Sequence, residues 1–206
     1  MKQCKLFIAI LLTMLCLLAC AAADEPTVYT SGGYKYILLE DGTAEIVAYT
    51  GKAETLDVPD ALDVYRVTSI GDWAFYFCTS LTSTTLPDSV VSIGDYAFYS
   101  CDSLTSITLP DSLTSIGAEA FSFCDSLTSI TIPDSLTSIG DSAFFSCDSL
   151  TSITLPDSVT SIGTDAFPTH NEGLIFTVPM DSWAEQWCLE NNRNYTFPNA
   201  NDWLLN

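Results

Sequence analysis

The chain has 206 residues, of which 48% are hydrophobic and 12% aromatic, which is enough apolar material for the core of one domain. It carries 26 acidic and 6 basic residues, for a formal net charge of -20. Because nucleic acid and anionic membranes are bound through Lys and Arg, this charge argues against both as partners.

Residues 1–23 are predicted to be an export signal. Lys2 and Lys5 precede an apolar run, residues 6–19, that is too short to span a bilayer comfortably. Two cleavage sites compete. An ordinary signal peptidase would cut after Ala23, whereas Leu-Leu-Ala-Cys at residues 17–20 resembles a bacterial lipobox, which would end the signal at Ala19 and attach a lipid to Cys20. Both predict a secreted or cell-surface protein, and a lipid on Cys20 would be its only contact with a membrane.

A repeat of 23 residues occupies residues 59–167 and determines the predicted architecture. Ser-Ile-Gly, Ala-Phe, Cys and Pro-Asp-Ser all recur at this spacing. The recurring positions are Ser69, Ser92, Ser115, Ser138 and Ser161; Phe75, Phe98, Phe121, Phe144 and Phe167; Cys78, Cys101, Cys124 and Cys147; and Pro87, Pro110, Pro133 and Pro156. Stacking such coils buries an apolar side that a lone coil would expose, so the sequence predicts a repeat solenoid of four to five coils with short parallel strands.

One unit shows how each coil is built. Ile107 and Leu109 alternate with Thr108, which indicates a strand with one buried face. Pro110 ends that strand because proline donates no backbone hydrogen bond, and Asp and Ser after it suit a local turn. Ala-Phe-x-x-Cys then predicts a compact turn that buries Phe and Cys. Successive coils would be about 4.8 Å apart.

The unit Leu-x-x-Ile-x-Leu-Pro-x-Ser-Leu/Val-x-x-Ile-Gly-x-x-Ala-Phe-x-x-Cys resembles the BspA-like leucine-rich repeats of surface antigens, over about residues 34–197. The resemblance implies a right-handed leucine-rich-repeat α/β superhelix, mostly β. It also implies an N-terminal β cap over residues 24–58, where Asp41-Gly42 is a turn signal, and a C-terminal helical cap over residues 168–206. Its functional implication is adhesion or protein binding at a microbial surface.

The C-terminal cap is expected to cover the exposed end of the core. Ser182 and Glu185 form a candidate capping box for a helix, and Trp183 and Trp187 lie one turn apart. We expect the two tryptophans to close the last coil, with ligand stacking as the alternative. Residues 192–197 are a candidate final strand.

The residues provide no case for catalysis or for a cofactor. His170 is the only histidine, and no motif places a nucleophile beside it. The repeated cysteines would form an inward column of free thiols, because parallel side chains suit neither a disulfide nor convergent metal ligation. The sequence therefore predicts a protein that is not an enzyme, with no metal and no cofactor.

Outward residues of the first strand in each coil form the candidate ligand-binding face. They are Ser83, Thr85, Ser106, Thr108, Ser129, Thr131, Ser152 and Thr154. The expected partner is an extracellular protein or a glycan of a host or partner cell. Ser and Thr also simply suit exposed strands, and the near-identical coils equally suit a structural spacer without a ligand of its own. An ice-binding solenoid is a remote alternative because of the regular hydroxyl spacing.

Two further features remain open. Repeated turn aspartates could bind Ca²⁺, although turn capping explains them without an ion. They are Asp88, Asp111, Asp134 and Asp157, with Asp102, Asp125 and Asp148. Aromatic residues also vary around the fixed Ala-Phe, either as exposed binding anchors or as packing between coils. They are Tyr76, Phe77, Tyr96, Tyr99, Phe123 and Phe145.

Overall fold

Sixteen short strands and one helix are found in residues 26–198, the part of the chain that the computed structural model describes. The strands are β1 (Tyr29–Ser31), β2 (Tyr34–Leu38), β3 (Ala44–Tyr49), β4 (Thr55–Asp57), β5 (Ala61–Leu62), β6 (Tyr65–Ile70), β7 (Ser83–Thr85), β8 (Ser92–Ile93), β9 (Ser106–Thr108), β10 (Ser115–Ile116), β11 (Ser129–Thr131), β12 (Ser138–Ile139), β13 (Ser152–Thr154), β14 (Ser161–Ile162), β15 (Ile175–Thr177) and β16 (Tyr195–Thr196). The helix, α1, spans Trp183–Glu190.

The repeat forms a β-solenoid, as the sequence predicts. Each 23-residue coil adds one strand to each of two faces, and equivalent residues of successive coils pair in parallel, for example Ser129 with Ser152. The first face consists of β4-β7-β9 and β11-β13-β15-β16, and the second continues through β6-β8-β10-β12-β14. Exposed Ser106 and Thr108 flank buried Ile107, which is the alternation expected of a strand with one face on the core.

The stack has about seven turns rather than the four to five predicted. Seven strands lie side by side along the first face, because β4 precedes the recognisable repeats and β15 and β16 follow them. Thr55 pairs with Ser83, and Ile175 pairs with Ser152. The neighbouring sequences, Leu-Asp-Val-Pro at residues 56–59 and Phe-Thr-Val-Pro at residues 176–179, keep only a degenerate form of the strand motif. Backbone hydrogen bonds continue the ladder of parallel strands in these coils, although their side chains differ from those of the central repeats.

The N-terminal cap is a hairpin that joins the second face. β2 and β3 are antiparallel, and β3 then pairs in parallel with β6. The turn between β2 and β3 has Gly42 at φ +81, a left-handed conformation that favours glycine, and Asp41 Oδ1 accepts a hydrogen bond from the Thr43 backbone N–H at 3.0 Å. The predicted Asp-Gly turn is therefore confirmed.

A column of phenylalanines forms the centre of the core. Phe75, Phe98, Phe121, Phe144 and Phe167 are fully buried, and consecutive rings stack at 4.8 to 5.3 Å with interplanar angles of 2 to 5°. Beside them the thiols of Cys101, Cys124 and Cys147 are buried and unpaired, as predicted. Each coil repeats the same side chains because each must fill the same cross-section.

In three of the four Pro-Asp-Ser motifs the serine connects coils, which differs from the local turn bond predicted from its sequence position, whereas the buried Ser158 hydroxyl has no partner within residues 26–198. Ser89, Ser112 and Ser135 each donate a hydrogen bond at 2.6 Å to a backbone carbonyl 22 residues earlier. A single repeat unit cannot reveal such a bond, because its acceptor belongs to the neighbouring coil. These serines help to hold successive coils in register.

Helix α1 begins at the predicted capping residue. Ser182 Oγ accepts from the Glu185 N–H at 3.0 Å, and Glu185 Oε2 accepts from the Asp181 N–H at 2.7 Å. Trp187 packs edge-to-face on the last rings of the core, Phe167 at 5.8 Å and Phe176 at 5.6 Å. Trp183 is 40% exposed, so only one of the two tryptophans closes the last coil as expected.

Left-handed backbone recurs in every coil at residues that are not glycine. Twelve non-glycine residues within 26–198 have positive φ, including the aromatic residues Trp73, Phe77, Tyr96 and Phe123 at φ 56 to 61. Equivalent positions in other coils hold Ser142 or other polar residues, so the coil geometry imposes this conformation. It costs roughly 1–2 kcal/mol for each residue with a Cβ.

The predicted export signal of residues 1–23, with its candidate lipidation site Cys20, lies outside the described residues. Residues 199–206 also lie outside them. Between these limits no helix is long and apolar enough to cross a membrane.

Candidate functional site

The eight predicted ligand-binding residues lie on the first face of the solenoid and point away from the core. Seven are exposed, and Ser83 is partly buried near the N-terminal end. We call this set the hydroxyl face; it comprises Ser83, Thr85, Ser106, Thr108, Ser129, Thr131, Ser152 and Thr154. Strand pairing aligns equivalent hydroxyls in rows along the solenoid axis.

Side chains that border the hydroxyl face are already hydrogen-bonded, which distinguishes them from the face itself. Thr82 Oγ1 donates to the Glu54 carbonyl at 2.8 Å, and Thr105 Oγ1 donates to the Thr82 carbonyl at 2.9 Å. Buried Thr84, where later coils have Ile, donates to the Leu56 carbonyl at 2.9 Å. Among residues 26–198, the eight hydroxyls of the face take part in no such bond. They remain available to a ligand.

The face is divided into two sheets. β7 and β9 pair in register, as do β11 and β13, but β9 and β11 lie in different sheets. Across this junction the Thr128 N–H still donates to the Thr105 carbonyl at 3.3 Å, the same distance as between Thr151 and Thr128 in the next coil. The hydroxyl face therefore continues from coil to coil across the junction.

The repeated aspartates are exposed and do not converge on a cation site. The pKa of Asp125 is raised, first by partial burial and then by the charges of Asp148 and Asp102 on either side. In the portion of the chain described, no group of three or more His, Cys, Asp and Glu side chains is placed to hold a metal ion. The aspartates form an acidic column.

His170 lies at the surface beside an aspartate. Its Nε2 is 2.8 Å from Asp148 Oδ1, and the two side chains are 57% and 54% exposed. Among the hydrogen bonds of residues 26–198, no serine or cysteine joins this pair. The geometry is that of an exposed polar contact.

Exposed and partly exposed aromatic residues form a second candidate surface in the Ala-Phe turns. The sequence singles out six of them, and the structure adds Trp73, whose ring stacks on Tyr96 at 4.0 Å and 5°. Trp73 is 48% exposed and Phe77 is 54% exposed. The signal that could have revealed Trp73 is the repeat itself, because Trp73 and Tyr96 are 23 residues apart.

Comparison with protein families identifies the repeat. Residues 48–172 match six copies of the BspA type leucine-rich repeat region. This span contains all eight residues of the hydroxyl face and all seven of these surface aromatics. Comparison with curated proteins gave no match.

Similar solved structures are bacterial leucine-rich repeat proteins. The T. pallidum leucine-rich repeat protein is 37% identical, with a TM-score of 0.70, over 74% of this chain and 72% of its own. A leucine-rich repeat protein of Bacteroides ovatus is 36% identical, with a TM-score of 0.62, over 76% of this chain and 40% of its own. A leucine-rich cell surface protein of Faecalibacterium prausnitzii is 32% identical, with a TM-score of 0.53, over 76% of this chain and 56% of its own. By its six repeat copies and its fold, the chain belongs to the BspA-type leucine-rich repeat family.

Proposed function

We propose that the chain is a secreted or cell-surface protein that binds an extracellular protein or glycan through the hydroxyl face and catalyses no reaction. The observation that carries the proposal is the alignment of eight outward hydroxyls that make no hydrogen bond within residues 26–198. An array of solvent-facing donors and acceptors that are not engaged by the protein suits recognition of a polar surface.

Three observations support this reading over catalysis. The one histidine is exposed with an aspartate, the carboxylates repeat identically from coil to coil, and the repeat family is generally non-catalytic. Acid–base catalysis commonly pairs two carboxylates in different environments, whereas these aspartates occupy equivalent exposed turns. Surface location is supported by the apolar segment at residues 6–19 and by the cell-surface description of the F. prausnitzii protein.

The test is a binding screen with the chain starting at Asp24. We would pass it over extracellular-matrix proteins, mucins and glycans at physiological salt. The informative variant is Thr108→Arg with Thr131→Arg, which places two bulky charges on the face, one on each side of the β9–β11 junction. Val91→Arg with Thr160→Arg is the matched control, because both side chains are exposed outside the hydroxyl face.

Saturable binding that is lost in the Thr108/Thr131 variant and kept in the control would locate the ligand on the hydroxyl face. Binding that survives both changes would refute that location. If no candidate binds, the structural spacer becomes the better reading, since near-identical coils would then serve only to set a length. Thermal-hysteresis measurement of the same samples would test the ice-binding alternative.

Membrane attachment is a separate part of the proposal. Expression of the full chain and of Cys20→Ser in a bacterial host with labelled fatty acid distinguishes the two cleavage sites. Label that disappears with Cys20→Ser would establish a lipoprotein. An unlabelled chain that begins at Asp24 would establish cleavage after Ala23.

A further inference from the structure

Seven aromatic rings form a continuous strip across the Ala-Phe turns of four coils. We call this set the aromatic strip: Trp73, Tyr76, Phe77, Tyr96, Tyr99, Phe123 and Phe145. Neighbouring centroids are 4.0 to 5.7 Å apart along it, for example 5.5 Å between Tyr76 and Tyr99 and 5.3 Å between Tyr99 and Phe123. The strip occupies a different stretch of each coil from the hydroxyl face.

The solenoid does not need these rings in order to fold. Where one coil has Phe77 or Phe123, the next has Ser100 or Ser146, with the same left-handed backbone. Several rings also remain substantially exposed, with Tyr76 at 42% in addition to Trp73 and Phe77. Coils that are otherwise almost identical therefore differ mainly at a surface of large aromatic side chains. Exposed aromatic clusters of this kind are typical of binding surfaces.

Negative charge lies beside and within the strip. Asp72 and Asp95 are exposed and immediately precede Trp73 and Tyr96. Glu119 occupies the position equivalent to these two aromatic residues, and its Oε1 accepts a hydrogen bond from the Tyr96 hydroxyl at 2.9 Å. No Lys or Arg occurs between Arg66 and Arg193, so the whole repeat region is acidic.

We propose that the aromatic strip docks a basic segment of a partner protein, in which Lys or Arg alternates with apolar side chains. This site is additional to the hydroxyl face. Aliphatic stems of Lys and Arg pack on ring surfaces while their charged heads reach carboxylates such as Asp95 and Glu119. The long-range field of an acidic solenoid attracts the same partner.

One end of the strip offers a groove for a neutral side chain of that segment, since Thr50, Thr79 and Ser80 also line it. Tyr76 and Phe77 line a groove of about 380 Å³ together with Tyr49 and Lys52. The positive charge of Lys52 disfavours a basic side chain there. The basic residues of the partner therefore lie toward Asp95 and Glu119, and a neutral side chain enters the groove.

The test uses synthetic peptides and variants that the repeat itself suggests. The probe is a short labelled peptide of alternating lysine and leucine, compared with its glutamate–leucine and lysine–serine counterparts, by fluorescence anisotropy. Trp73→Ser with Phe77→Ser removes two rings and introduces the residue that equivalent coils carry at Ser142 and Ser100, so the fold is retained. We expect the lysine–leucine peptide to bind about tenfold or more weakly to this variant.

Two double variants that remove equal charge distinguish the effect of carboxylates beside the strip from that of the overall negative charge of the chain. Asp95→Asn with Glu119→Gln should weaken binding severalfold, while Asp111→Asn with Asp134→Asn, which removes equal charge from the Pro-Asp turns, should change it much less. The amide oxygen introduced by Asp95→Asn would still accept from the Ala118 N–H, as Asp95 Oδ1 now does at 2.7 Å.

Equal affinity of the parent and the Trp73/Phe77 variant would overturn the proposal, and so would equal binding of the basic and acidic peptides. Association of the chain with itself that disappears in the Trp73/Phe77 variant would assign the strip to a second copy instead. The hydroxyl-face variant Thr108→Arg with Thr131→Arg should change peptide binding no more than Asp111→Asn with Asp134→Asn does, because both raise the net charge by two away from the strip, which keeps the tests of the two surfaces distinct.

Discussion

Cys124 Sγ donates a hydrogen bond to the carbonyl oxygen of Phe98, one coil earlier, at 3.2 Å. Cys101 and Cys147 make the same bond to Phe75 and Phe121. Each thiol therefore fills space beside the phenylalanine column and also satisfies a buried carbonyl. This arrangement explains why free cysteines persist at a position where a disulfide would have the wrong geometry.

The buried thiols should resist alkylation in the folded protein. Burial raises the pKa of Cys147 to about 12, so its reactive thiolate is scarce at neutral pH. We expect iodoacetamide to modify Cys101, Cys124 and Cys147 only after urea unfolding, with half-buried Cys78 modified first. Peptide mass spectrometry measures each site, and rapid labelling of Cys124 in the native chain would contradict its placement.

Phe121→Ala should destabilise the solenoid by about 3–5 kcal/mol, because it opens a cavity between two stacked rings at 5.2 Å. Phe145→Ala is the matched control from the following coil. Because the Phe145 side chain is 37% exposed, this substitution should lower the free energy of unfolding by less than half as much. Urea unfolding followed by circular dichroism measures both. Equal losses would mean that the phenylalanine column is not the centre of the core.

Gly117→Ala should destabilise the fold for a steric reason. A Cβ at Gly117 would lie 2.6 Å from the carbonyl carbon of Gly94 and 2.7 Å from the Asp95 nitrogen, so backbone would have to move. We expect a loss of about 1–3 kcal/mol in the free energy of unfolding, measured by urea titration. Gly173→Ala, whose Cβ would meet only the Asn171 side chain at 3.4 Å, should change stability by about 0.5 kcal/mol or less.

The contact between Tyr36 and Asp63 should make cap stability depend on pH at both extremes. The Tyr36 hydroxyl donates to Asp63 Oδ2 at 2.7 Å, which raises the pKa of Tyr36 from 10.0 to about 12 and lowers the pKa of Asp63. The stability that the Tyr36 hydroxyl contributes to the folded protein is fully present below pH 10 and is lost as pH rises toward about 12. The stability that the Asp63 carboxylate contributes is fully present above the ordinary pKa of Asp and is lost as pH falls through the lowered pKa of Asp63 in the folded protein.

Tyr36→Phe should therefore lower stability between the two extremes, flatten its loss at high and low pH because phenylalanine does not titrate, and return the pKa of Asp63 toward its ordinary value. Unfolding midpoints across pH and an NMR titration of Asp63 measure the two effects. Tyr29→Phe removes the hydroxyl of an exposed neighbouring tyrosine and serves as the control. An unchanged Asp63 titration in Tyr36→Phe would contradict the assigned contact.

Sequence reasoning predicts those parts of the fold that depend on periodicity. The alternation around Ile107 predicts which side chains point outward, and the Ser182 capping box predicts the start of α1. It underestimates the number of turns, because the strands that contain Thr55 and Ile175 carry only a degenerate form of the motif found in the near-identical central coils. The exposure of Trp183 was missed because spacing along a helix does not fix its rotation against the core.

The two candidate surfaces also contain features that the sequence predicts and features that it does not. Outward placement of Thr108 and Thr131 follows from strand periodicity, whereas their function as ligand contacts remains a prediction. The left-handed backbone of Trp73 could not be predicted, because residue preferences disfavour that conformation for a bulky side chain. The coil enforces it through contacts between repeats.

The junction between β9 and β11 has a consequence for ligand binding. Ladder pairing is interrupted there on the first face, while β8, β10 and β12 continue without a break on the second. Backbone hydrogen bonds nevertheless cross the junction, since the Thr128 N–H donates to the Thr105 carbonyl at 3.3 Å. A ligand that spans Thr108 and Thr131 therefore meets one connected backbone, and we expect it to contact both sides of the junction at a fixed spacing.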